Sequence, residues 1–157
     1  LKGNKIMKTK ILLLSLLLCT AVTLWQPGTS AQKPASTEQA SARLPLENYL
    51  MGHATGDGEY FKKAFHPEAK LFWFRDGKLM TRTSTEYIAG ATGNPAPDEV
   101  QRKRWIENVS ITGNAGIATV ILDYPTVKFT DYMSLLKVDG EWKIINKTFY
   151  AEPKAKP

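Results

Sequence analysis

The 157-residue sequence holds one cysteine and two histidines. A single thiol builds no disulfide framework, and no Cys-x-x-Cys spacing is present. His53 and His66 stand thirteen positions apart with no His-x-x-His pattern, so no metal site is predicted. A glycine-rich phosphate loop, a nucleophile elbow and a Ser/His/Asp order are also missing, and no cofactor is implied. The apolar run at residues 11–18 is too short to span a bilayer as a mature helix.

What the chain does hold near its start explains much of its charge. Met7-Lys8-Thr9-Lys10, the apolar run, and small residues at Thr29-Ser30-Ala31 read as a secretory signal over residues 1–31, cut after Ala31. Residues 1–6 then read as an over-extended start. Cys19 lies inside the signal behind Leu17-Leu18, which is not a lipid-attachment pattern, so no membrane anchor is expected after cleavage. The expected location is periplasmic or extracellular. Removing Lys2, Lys5, Lys8 and Lys10 lowers the formal net charge from +6 to +2, because no acidic residue leaves with them. A nucleic-acid partner loses its electrostatic support.

Residues 32–43 are polar and small, and predict a flexible linker before a domain at 44–150, with a disordered tail at 151–157. Leu46, Tyr49, Leu50 and His53 recur at helical spacing, with Pro45 in a helix-start position. Thr55-Gly56-Asp57-Gly58 breaks that helix. Asp57 caps a second, with Tyr60, Phe61, Ala64 and Phe65 on its apolar face and His66-Pro67 at its end. Residues 70–74 and 79–82 form a hairpin. Thr83-Ser84-Thr85-Glu86 is a capping box that opens a third helix.

Beyond a Pro-containing loop come four runs rich in β-branched and aromatic residues: 102–112, 115–124, 125–138 and 141–150. Gly113-Asn114, Tyr124-Pro125 and Asp139-Gly140 separate them, the last suited to a two-residue type I′ turn. The order is α+β, three helices ahead of an antiparallel meander. Residues 115–124 are apolar on both faces, and helices cover only one face of a sheet. A homodimer through the other face is therefore expected.

Three stretches carry a family resemblance: YLMGHATGDGEYFKKAFHPEAKLFW from Tyr49, RWIENVSITGNAGIATV from Arg104, and FTDYMSLLKVDGEWKIINKTF from Phe129. The layout resembles the nuclear transport factor 2-like superfamily, in particular its putative lumazine-binding, polyketide-cyclase-like (SnoaL-like) branch. The resemblance implies three N-terminal helices on a curved antiparallel sheet that encloses a conical pocket. It implies no single activity, because the superfamily hosts isomerases, cyclases and dehydratases.

By the same resemblance, Tyr49 falls where ketosteroid isomerases of the superfamily place an oxyanion-donating tyrosine. Their base is a strand carboxylate, and here that position is Trp73, which takes no proton from a carbon acid. The second oxyanion donor would fall at Asp131 or Tyr132, the choice depending on strand register. An acid there is either pocket-facing or paired with a base such as Arg102, Arg104 or Lys147. His53, one turn below Tyr49, is the candidate titrating group, whereas His66 reads as bonding its own turn.

The candidate pocket residues are thus Tyr49, His53, Phe65, Trp73, Trp105 and Asp131, with Phe72, Phe74 and Phe129 as further aromatic lining. Trp142 reads as a strand anchor, and Arg102-Lys103-Arg104 as a solvated strand start. The expected function is an exported domain that binds a small, partly aromatic or apolar ligand. An acid/base enzyme in the same pocket is the alternative. A third reading is an interaction module whose cone is filled by its own side chains.

Overall fold

The computed structural model describes residues 37–155. The signal at 1–31 with Cys19, and the linker at 32–36, lie outside the described residues. Among those described, no helix is long and apolar enough to cross a membrane.

Helix α1 spans Thr37–Thr55. It begins inside the stretch expected to be a flexible linker and runs through Pro45 instead of starting there. Its first turn is held by tertiary contacts that composition does not reveal. Glu38 accepts from Lys137 Nζ and Trp142 Nε1, each at 2.8 Å, and Ala42 is fully buried. Trp142 is thereby the strand anchor expected of it. Helix α2 (Gly58–Ala64) starts on Asp57, whose side chain accepts from the Glu59 amide. It ends before Phe65, so His66-Pro67 belongs to strand β1 (Phe65–Arg75), where the Glu68 amide bonds His66 Nδ1.

Strand β2 (Lys78–Thr83) leads into α3 (Ser84–Ala89) through the complete capping box of Thr83 and Glu86. A loop and a short 3₁₀ turn (Glu99–Gln101) precede β3 (Lys103–Thr112), β4 (Ala115–Asp123), β5 (Val127–Val138) and β6 (Glu141–Pro153). Asp139 and Gly140 both have positive φ (51° and 87°), as a type I′ turn requires. The expected disordered tail is paired instead: Ala151, Glu152 and Pro153 lie opposite Phe129, Lys128 and Val127. Lys154 also bonds the Thr126 carbonyl through its backbone amide.

The six strands are ordered β2-β1-β6-β5-β4-β3. All neighbours are antiparallel except β1 and β6, which run parallel, so the sheet is mixed at that one seam. Register shifts fall between Ile106 and Asn108 in β3, and at Ser134/Leu135 opposite β6. Such bulges bend strands and raise local twist, and the sheet is curved but not closed. The helices lie on its inner face, with Leu46, Phe61, Leu71, Val120, Leu122, Leu135 and Ile144 in the core.

Candidate functional site

Tyr49 and His53 sit one turn apart on α1 and share its sheet-facing side. Between them Gly52 leaves room for the Phe61 ring, which packs against both. Tyr49 Oη donates to Asp131 Oδ2 at 2.6 Å. Lys147 Nζ donates to Tyr49 Oη at 2.9 Å and to Asp131 Oδ1 at 3.1 Å, closing a triangle. Asp131 is fully buried and Lys147 nearly so. Burial, then the Asp131 charge, pushes the Tyr49 phenol well above its ordinary value. Burial also lowers the Lys147 ammonium, against the opposing pull of Asp131. A buried charge needs such a partner.

A second set of bonds centres on His53. Its Nε2 lies 2.8 Å from Tyr87 Oη, and its Nδ1 lies 3.3 Å from Tyr124 Oη. Burial, followed by the positive charges of Lys147, Arg104 and Arg102, holds His53 well below 6.5. The ring is neutral at neutral pH, so one nitrogen donates and the other accepts. Burial is also the main cause that raises the Tyr87 and Tyr124 phenols. Arg102 lies 4.2 Å over the Tyr124 ring, with its Nε on Asp98 at 2.8 Å. Arg104 makes two bonds to the Glu99 carboxylate.

Of these groups Tyr49, His53, Tyr87, Arg102, Tyr124 and Lys147 border a cavity of about 340 Å³ between α1, α3 and the inner face of the sheet. Leu71, Trp73, Leu122, Phe129 and Phe149 form its apolar wall. Trp73 and Phe149 are stacked at 5.5 Å. The polar groups are Tyr49, His53, Tyr87, Tyr124 and Lys147, with the guanidiniums of Arg75, Arg82 and Arg102. A second hollow, of about 530 Å³, shares His53, Arg82, Tyr87 and Arg102 and extends beneath the loop at 90–97. Space of this size is not filled by the protein's own side chains.

The structure thus brings Tyr49, His53 and Trp73 to one cavity and separates the other expected residues from it. Asp131, not Tyr132, points inward, but it lies behind Tyr49 and Lys147 and does not border the cavity. Tyr49 spends its phenol on that pair, so its hydroxyl is not a free donor to a ligand. Phe65 is buried against Tyr49 and Tyr87 (5.8 and 5.5 Å) and supports the site from behind. Trp105 lies opposite Ile121 on the outer face, partly exposed, with its indole on Glu107. The bulge after Ile106 flips the phase of β3, turning Trp105 out. Phe72 and Phe74 are likewise off the cavity, and Arg102 and Arg104 are ion-paired, not merely solvated. Of the bases named as possible partners for Asp131, Lys147 is the one that pairs with it, whereas Tyr87, Tyr124, Phe149, Arg75 and Arg82 are site residues that the sequence did not single out. Among the described residues, no group of three His, Cys, Asp or Glu side chains is placed to hold a metal ion.

Three helices across a curved six-stranded sheet, with a cavity between them, define the nuclear transport factor 2-like (NTF2-like) class. An NTF2-like protein of unknown function from Shewanella baltica superposes with a TM-score of 0.67. It is 26% identical, over 74% of this chain and 95% of that one. One from Methylobacillus flagellatus gives a TM-score of 0.62 at 27% identity, over 76% and 96% of the two chains. Residues 37–150 match the family described as "Putative lumazine-binding", and the chain belongs to that family. It is also 24% identical, over 114 residues, to "Aldolase FrzH" of a Cladobotryum species, spanning 68% of this chain and 85% of that protein.

Proposed function

We propose that this chain is an exported domain that binds a small, planar, partly aromatic carbonyl compound in the cavity below α1 and α3, as a dimer of two copies. The observation that carries the binding role is the cavity itself. A wall of Trp73, Phe129 and Phe149 faces a small set of convergent polar groups, Lys147, Tyr87, His53 and Tyr124. An apolar hollow with a few oriented donors is the usual form of a small-molecule site. Lys147 and the Tyr87 hydroxyl supply donors for a carbonyl oxygen, while the aromatic wall takes the ring. The family to which the chain belongs supports the same role.

The test is extraction of the natively purified protein with acid and organic solvent, followed by mass spectrometry. A stoichiometric small molecule should be released, and none from Leu71→Trp, which fills the wall. If nothing is released, and no planar carbonyl compound from a panel changes Trp73 emission, the binding role is wrong.

A second reading makes the same cavity an acid/base enzyme. The neutral His53, an unprotonated imidazole on the cavity wall, favours it, as does the similarity to a protein named an aldolase. His53 would accept a proton from the carbon beside a carbonyl, its acceptor nitrogen first giving up the tyrosine hydroxyl bonded to it, with Tyr87 or Lys147 bonding the enolate oxygen. Trp73, in place of a strand carboxylate, weighs against it. Deuterium exchange into a bound ketone, lost in His53→Ala, would replace the binding-only role with this one.

A further inference from the structure

We infer that the cavity selects an anionic ligand, an aromatic carboxylate or similarly charged planar compound, whose negative charge is held at the mouth by Arg75 and Arg82 beside Trp73. This rests on the cavity being a ligand site and adds the charge of what it takes.

The charge balance of the lining is one-sided. Arg75, Arg82, Arg102 and Lys147 border the cavity, and no aspartate or glutamate does. Two of the four cations are already neutralised. Lys147 is paired with Asp131, and Arg102 with Asp98. Arg75 and Arg82 form no ion pair among the described residues. The acid that feels Arg82 is Glu86, whose carboxylate is occupied by the Thr83 amide and hydroxyl of the α3 cap.

Their placement follows from the register of β1 and β2. Leu71 lies opposite Arg82, Trp73 opposite Met80, and Arg75 opposite Lys78. Residues opposite each other, and those two apart on one strand, share a face. Arg75 and Arg82 therefore stand on the inner face with Leu71 and Trp73, at the exposed edge of the sheet. Their guanidinium carbons lie 6.0 and 5.8 Å from the Trp73 ring centroid. The Trp73 Nε1 proton is buried and has no acceptor. Most buried donors find an acceptor, so this orphan calls for one.

The ligand side of the site thus offers donors and positive charge and lacks an acidic acceptor. Two guanidiniums suit a carboxylate because each presents paired N–H groups in the geometry of its two oxygens. The stacked Trp73 and Phe149 give a flat surface for the attached ring. A cationic ligand would meet unpaired arginines at the mouth and no carboxylate within.

The experiment uses two matched probes, 2-naphthoate and 2-naphthamide, titrated into the protein by calorimetry at low salt. The carboxylate should bind about tenfold or more tightly than the amide, roughly one favourable charge contact. High salt should shrink the difference, since exposed arginines are screened. The Arg75→Gln/Arg82→Gln variant should bring the carboxylate down to the amide's affinity. Its folding is checked by circular dichroism, and both substitutions lie on exposed side chains. Equal or tighter binding of the amide overturns anion selection but leaves the cavity a ligand site. Persistence of the carboxylate's advantage in the double variant overturns the role of the arginines. Binding of neither probe counts against the ligand site itself.

Discussion

The Tyr49 hydroxyl lies 2.6 Å from the Asp131 carboxylate, and Lys147 bonds both, so three polar groups from α1, β5 and β6 neutralise one another inside the core. The effect of Tyr49→Phe should therefore fall on stability and not on ligand binding. The variant should lose about 1–3 kcal/mol, because a bond to a buried charged group goes with it. Lys147→Met should cost more, about 3–5 kcal/mol, by leaving a buried carboxylate unpaired. Asp131→Leu combined with Lys147→Met should cost less than Lys147→Met alone, since no lone charge remains. Urea unfolding of the single and double variants measures all three. A double variant that is the sum of its parts would show that the pair is not coupled.

His53 should give the fold a pH dependence of its own. In the folded state burial and the nearby Lys147, Arg104 and Arg102 keep it neutral, whereas the unfolded residue protonates near 6.5. Below that pH the unfolded chain binds the extra proton, so stability falls as pH drops and is unaffected above it. Between about pH 7.5 and about pH 5.5 the expected loss is about 1.4 kcal/mol. His53→Gln should remove that slope, whatever it does to the stability at neutral pH. Urea unfolding at the two pH values gives the comparison.

Gly52 lies in the last turn of α1, where alanine is intrinsically the better helix former by up to about 1 kcal/mol. A Cβ there would sit 2.5 Å from Phe61 Cε1. The ring cannot retreat, because it is packed against Tyr49, His53 and Tyr87. Overpacking of this kind costs about 1–3 kcal/mol, so Gly52→Ala should destabilise despite its helix propensity. Gly52→Ala with Phe61→Leu should recover part of the loss. Thermal unfolding reads both.

The helix and turn chemistry was legible in the sequence because it is local. The Asp57 cap, the Thr83–Glu86 capping box and the Asp139-Gly140 turn each need only a few adjacent residues. The site was legible only in part, and two bulges explain why. Strict alternation from Trp142 and Ile144 would place Asn146 and Thr148 inside. The extra residue near Ile145 shifts the phase and brings in Lys147 and Phe149 instead. The bulge in β3 turns Trp105 out by the same mechanism. The early start of α1 was hidden for another reason. Residues 37–43 are polar and small, and their helix is fixed by Glu38 reaching Lys137 and Trp142, about a hundred positions away. The parallel pairing of β1 with β6 is equally non-local.

Export has a direct test in the mass of the protein recovered outside the cytoplasm. Cleavage after Ala31 removes 31 of 157 residues and leaves 126, beginning at Gln32. The new N-terminus would precede the start of α1 at Thr37, so the cut would leave that helix whole. The expected species carries neither Cys19 nor lipid. Recovery of the uncut chain, or of a chain that retains Cys19, would contradict the signal.

Dimerisation through the outer face of the sheet is expected to depend on Ile117, Tyr132 and Tyr150, which are 62%, 56% and 66% exposed. They lie on the adjacent strands β4, β5 and β6: Thr119 faces Tyr132, Thr130 faces Tyr150 and Ile117 faces Ser134. The helices cover the opposite face, and clustered apolar and tyrosine side chains of this kind mark an interaction surface. A standard interface would bury about 800 Å² on each copy, and the patch spans several strands. A two-fold axis would place the same strands of a second copy on it, each supplying the apolar cover the other lacks. Ile117→Lys with Tyr132→Glu should dissociate the dimer, since charged side chains would be trapped at its centre, while the monomer keeps its fold because neither residue packs in the core. Sedimentation velocity at roughly ten micromolar, above the micromolar-to-picomolar range spanned by interfaces of standard area, should show a dimer for the native chain and a monomer for the variant. A native chain that sediments as a monomer would leave this face exposed and rule out the arrangement.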